Sequence, residues 1–234
     1  MVPAFHRHVL ITPGEREVRA WVEDDYHHMG VTLHHDGATI TRVESEMVRA
    51  PWSTCPGAVA QLSATFAGAS IEAAAASGEK TLNCTHLYDM AVIAAAHAHD
   101  ALETLYAMTV SDAVDGVRVA EIIRDGVSVL RFVERGGVLA EPNAAAGKTL
   151  FQLGEWIASL DNAGREAARL LRWGAIIAHG RAIPLERQSD ATRMPANCFT
   201  FQEGRKEWAL RVGRIIDFSG GRRPLEDLHR PAAR

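Results

Sequence analysis

Cysteine is scarce in this chain: three in 234 residues, an odd number that builds no disulfide framework. A large excess of either charge is absent too. A formal net charge of −4 gives no electrostatic pull toward nucleic acid or an anionic membrane, so neither is an expected partner. No apolar run approaches the roughly 20 residues that a spanning helix needs, and the opening MVPAFHRHVL lacks the apolar centre of a secretory signal. A reducing cytoplasm is the expected setting, where the sequon Asn83-Cys84-Thr85 carries no glycan. Catalytic signatures are also missing. There is no Cys-x-x-Cys, no His-Glu-x-x-His and no Gly-x-Ser-x-Gly. Residues 144–149 end like a phosphate-binding loop, but the glycine required five positions before Gly147 is Pro142.

What is present is ordinary globular material, 47% apolar and 23% charged, with one asymmetry. Nine of the eleven histidines precede residue 100, so imidazole chemistry is expected in the N-terminal half. Patterning predicts strands over 7–12 and 17–23, split by Pro13-Gly14. Alternation in 29–35, the Asp36-Gly37 turn and a returning strand to 48 predict a hairpin. Pro56-Gly57 opens a helix to about Phe66. Asn83 is the expected N-cap of a helix over about 84–104, with Leu87, Met90, Ala94, Ala98, Ala101 and Leu105 as its stripe. Two more Asp-Gly turns divide strands over 106–114, 117–124 and 127–133. Helices over 150–160 and 163–179 and a strand over 208–218 complete the reading. The expected class is α+β, mostly antiparallel, with helices packed on one face. A single domain over 1–234 is expected, with a motif-bearing core at 6–105, a second meander with helices at 106–218 and a mobile tail at 219–234.

Reactive side chains gather at three element ends: Asp25-Tyr26-His27-His28-Met29, Pro51-Trp52-Ser53-Thr54-Cys55-Pro56-Gly57, and Cys84-Thr85-His86. Ends of elements are where loops present groups to a ligand. Tyr26, His28, His86 and Tyr88 supply proton-transfer groups, because imidazole and phenol span the useful range of acidity. Trp52 offers a ring to stack on an aromatic substrate, Arg49 or Arg19 an anion anchor, and Cys55 and His27 a lining. Cys55 and Cys84 sit near helix N-termini, where free amides and the dipole predict a lowered thiol pKa. The plainer readings make the thiols small buried hydrophobes, His86 a helix-start packing residue and either arginine a solvated charge. His34 and His35 beside the turn are expected in solvent, and Trp156, Trp173 and Trp208 in the core.

In order and spacing, EDDYHHMGVTL, RAPWSTCPGA and NCTHLYDM resemble a bacterial family of unknown function (domain of unknown function 2889). Its pattern is His-Asp-Met before a strand, Pro-aromatic-x-x-Cys before a helix and Gly-Cys-Thr-His-Leu opening another. The likeness covers most of 6–105 and departs at Asn83 and at the tandem His27-His28. A branch of that family is linked to cofactor-independent lyases of lignin-derived aromatic dimers. The resemblance therefore implies carbon–carbon cleavage releasing formaldehyde from a primary alcohol carbon, a small aromatic partner and no cofactor. A homodimer is compatible with it. The segment order also resembles iron–sulfur scaffolds of the IscU and NifU kind, which have a hairpin-helix core. That likeness implies the alternative, zinc or a nascent cluster held by His28, Cys55, Cys84 and His86. One scaffold ligand is missing, since the first segment has no cysteine.

Overall fold

A computed structural model describes residues 2–78 and 80–228. The described chain forms two compact units. The first, the histidine unit, contains Val9–Leu105, Leu185–Ile216 and the described residues from Leu225 onward. The second, the meander unit, contains the described residues up to His8 with Tyr106–Pro184 and Asp217–Pro224. The fold is α+β with eight strands, and every pairing from β2 to β4 and from β5 to β8 given below is antiparallel.

In the histidine unit the strand order is β4-β3-β2-β1, formed by Ala4–Pro13 (β1, shared with the other unit), Glu17–Asp24 (β2), His28–His35 (β3) and Ile40–Arg49 (β4). Its register follows from period-two alternation. Val18 faces Leu33, Ala20 faces Val31 and Val22 faces Met29, all of them buried. The expected hairpin turn forms as its chemistry requires. Gly37 takes φ 104°, and the Asp36 carboxylate accepts from the Ala38 and Thr39 amides at 3.0 and 2.8 Å. Gly30 is required for another reason: a Cβ there would lie 2.4 Å from the Trp21 ring. Helices Ala58–Phe66 (α1), Ile71–Ala75 (α2) and Thr85–Ala96 (α3) follow, with α1 packed on β4 and α3 on β2 and β3.

Helix α3 differs from expectation at both ends. Cys84 is the N-cap residue, and Asn83 instead accepts from the Thr65 hydroxyl at 3.1 Å. The helix stops at Ala96, because His97 leaves helical geometry and its Nδ1 contacts Asp100 Oδ2 at 2.7 Å. Ala98 and Ala101 continue the apolar stripe only in sequence, and Leu105 lies in a strand. His35 is buried, edge-on to His99 at 6.0 Å, rather than solvated.

The meander unit holds Thr104–Ser111 (β5, which begins in the histidine unit), Val117–Arg124 (β6), Val127–Arg135 (β7) and Val138–Glu141 (β8), in the order β1-β5-β6-β7-β8. Both Asp-Gly turns form with positive φ at each residue, the pairing hairpin twist favours. Strand β8, reached through Gly136-Gly137, is an addition to the predicted meander. Helices Gly154–Ala158 (α4) and Asn162–Ala178 (α5) correspond to the two predicted there, and Asp161 caps α5 by accepting from the Gly164 amide at 2.7 Å. Tyr106 donates to Glu166 at 2.6 Å, and burial with that adjacent carboxylate pushes the phenol's pKa up.

The strand expected over 208–218 is absent among the described residues. Residues 210–213 run extended but pair with a loop: Ser53 donates to Leu210 and Val212 to Pro51, around the bridge of Trp52 with Arg211. A lone bridge does not make a ladder. Trp208 is 76% exposed, not core. No described helix is long and apolar enough to cross a membrane.

Candidate functional site

Strand β2 ends at Asp24, and the turn into β3 is built on that carboxylate. Asp24 Oδ1 accepts from the Tyr26 and His27 amides, both at 2.8 Å, while the Asp24 amide donates to the His27 carbonyl at 2.9 Å. The same carboxylate, fully buried, lies 2.9 and 3.2 Å from His27 Nδ1. This contact assigns Nδ1 as the protonated nitrogen of a neutral His27 and leaves Nε2 as the acceptor. His86, second residue of α3, stacks on His27 with centroids 3.8 Å apart and planes 27° apart. Candidate ligand atoms of Asp24, His27 and His86 all lie within 4.8 Å of one another.

A second polar layer fixes this turn. Arg49, at the end of β4, donates to the carbonyls of Asp25 and Asp24 at 2.8 and 2.9 Å and to Glu23 Oε1 at 2.9 Å. Glu23 Oε2 accepts from the Leu225 amide at 2.6 Å. Arg49 and Glu23 are both buried at the side chain, 10% and 3% exposed. Arg49 is thus neither a solvated charge nor free to hold an anion; it ties strand ends together. His28 points the other way along β3, edge-on to Trp21 at 5.5 Å and 3.7 Å from Glu23.

The thiols lie in a different environment. Cys55 is buried with Trp52, Phe201, Ala191 and Ala209, with Cys198 packed against them, and its sulfur contacts the Thr200 hydroxyl at 3.3 Å. Burial pushes its pKa up, with the Thr200 hydrogen bond opposing. Cys84 is pushed up to about 12 by burial and then by its Cys55 neighbour. The helix-start argument for reactive thiols therefore fails here, because desolvation outweighs the amides of the first turn. Tyr26 sits near this group: the Arg211 guanidinium lies 5.8 Å from the Tyr26 ring and 5.5 Å from the Trp52 ring. Burial lowers the pKa of Arg211.

Of the residues singled out in sequence, the structure brings His27 and His86 into contact and places Tyr26 beside His27, rings 6.2 Å apart. Trp52 and Cys55 share the neighbouring apolar cluster. Tyr88 lies two residues beyond His86 on a helix and faces elsewhere, buried against Phe66 with its hydroxyl on Ser77. Sequence reasoning passed over Asp24, Arg211, Cys198 and Thr200. The Asp-x-x-His spacing of 24 and 27 was a readable signal for an Asx turn; Arg211 and Thr200 had none, since they arrive from more than a hundred residues away.

The fold and geometry define an antiparallel α+β protein with a buried carboxylate–imidazole pair at a strand end and a second imidazole delivered by a helix start. Residues 10–99 match the model of a family described as protein of unknown function (DUF2889). The matched segment contains Asp24, His27, Cys55, Cys84 and His86, whereas Cys198 and Arg211 fall outside it. No curated protein matches the chain.

Proposed function

We propose that this protein is a small-molecule enzyme working by acid–base catalysis, with His27 as the base. The observation that carries the reading is the Asp24–His27 contact at 2.9 Å with His86 stacked on it. A carboxylate on Nδ1 orients an imidazole and favours proton uptake at Nε2.

The substrate class rests on the family resemblance: a lignin-derived aromatic dimer bearing a primary alcohol, met in the cytoplasm. The reaction is a carbon–carbon cleavage. His27 Nε2 takes the proton of the CH2OH group, and the bond to the neighbouring carbon breaks to release formaldehyde. The freed electron pair forms a C=C bond as the benzylic hydroxyl, protonated by His86 or Tyr26, leaves as water. A 1,3-diol thus yields an alkene, formaldehyde and water, with no oxidant. An assay of formaldehyde from diaryl 1,3-diols tests this directly. Formaldehyde release lost in His27→Asn supports the reading; no release from any phenolic diol by wild-type protein removes it.

The alternative is a metal-handling protein. The thiol set fits it poorly: among the described residues, the group close enough to share an ion is Asp24, His27 and His86, without a cysteine. In that group, lone pairs lie in ring planes that are stacked 3.8 Å apart and only 27° from parallel, so they do not converge on one point. Proton handling suits this geometry better. Elemental analysis of protein purified without chelator decides, since stoichiometric zinc or iron lost in Asp24→Asn would favour the metal.

A further inference from the structure

In the meander unit, Arg165, Arg169 and Arg172 line one cavity of about 270 Å³ with Gly154, Ile157 and Ala158. Their spacing of four and three residues places them on one face of α5. Two are held in position by carbonyls. Arg165 donates to Ala158 and Leu160 at 3.2 and 3.0 Å, and Arg172 Nε donates to Leu150. Neither anchor neutralises a charge. No carboxylate pairs with any of the three among the described residues, and the nearby Glu166 is committed to Tyr106. Arg165 Nε is moreover buried with no acceptor. Three guanidiniums lining one cavity repel one another, and an anion bound among them would relieve that repulsion.

We propose that this cavity binds the phosphate group of a small phosphate monoester. Such a group carries about −1.5 to −2 charges and three acceptor oxygens, which matches three guanidiniums better than a single carboxylate does. Gly154, Ile157 and Ala158 supply an apolar wall for the ester's organic part. Gly154 has open space where a Cβ would stand, so the wall leaves room there. This site is independent of the Asp24–His27 reading.

Isothermal titration calorimetry at fixed ionic strength, with phenyl phosphate, inorganic phosphate and benzoate, tests it. Phenyl phosphate is expected to bind saturably and more tightly than either other probe. Arg169→Gln, an exposed position with no bond that folding depends on, should weaken it about tenfold or more, the loss of one charge-assisted contact. Arg135→Gln removes the same charge from an exposed site of the same unit and should leave affinity unchanged. Absence of saturable binding, equal losses in the two variants, or benzoate binding tightest would overturn the proposal.

Discussion

The histidines His27 and His86 and the thiols Cys55 and Cys84 all lie at the three reactive element ends, yet the fold treats them in opposite ways. His27 is wired to a carboxylate that also accepts two amides, and its ring meets a second imidazole. Cys55 sits in an apolar cluster and Cys84 is buried, and burial pushes both thiols toward the neutral form. Residue type made both candidate reactive groups. Environment separates them: polar partners surround the imidazoles, while desolvation holds the thiols in their neutral form.

The largest expected effect breaks that contrast at its stronger end. On a diol confirmed as substrate, His27→Asn should lower turnover by ~10²–10⁴-fold, the usual loss on removing a general acid or base. Cys55→Ser should stay within a few-fold of wild type. A Cys55→Ser loss as large as that of His27→Asn, with melting temperature unchanged, would reverse the assignment.

Next comes the frame under the histidines. Glu23→Gln or Arg49→Met strands one partner of a buried ion pair, which costs about 3–5 kcal/mol. Chemical denaturation should show that loss in each single variant and a smaller one in the double, since the double leaves no orphan charge. Two single losses below about 1 kcal/mol would mean that the pair is screened like an exposed one.

The smallest effect sharpens the thiol side. Cys84 titrates at about 12 when folded against 9.0 for a free thiol, so the unfolded chain releases its proton first as pH rises. Its contribution to stability is complete below pH 9 and is lost between pH 9 and 12. Stability measured across that window should fall less steeply in Cys84→Ala than in wild type. Equal slopes would place the thiol in solvent.

Much of this architecture was legible in sequence because its signals are local. Asp36-Gly37 and the two later Asp-Gly pairs specify turns by backbone permissiveness alone, and alternation around Val18, Ala20 and Val22 fixes which faces pair. Errors fell where local pattern and tertiary partner disagree. The alanine run beyond Ala96 kept helical periodicity while His97 and Asp100 closed a turn, and 208–218 kept apolar alternation while docking on a loop.

By itself the sequence determined seven of the eight described strands, their Asp-Gly turns, a helix starting near residue 84 and the gathering of histidines before residue 100. Periodicity and turn chemistry act over a few residues and need nothing distant. Only the tertiary structure decided which of those histidines meet, that Arg49 is spent on Glu23, and that the thiols are desolvated. Each of these depends on what another segment buries or donates, and burial and hydrogen-bond partners are properties of the packed chain rather than of any stretch within it.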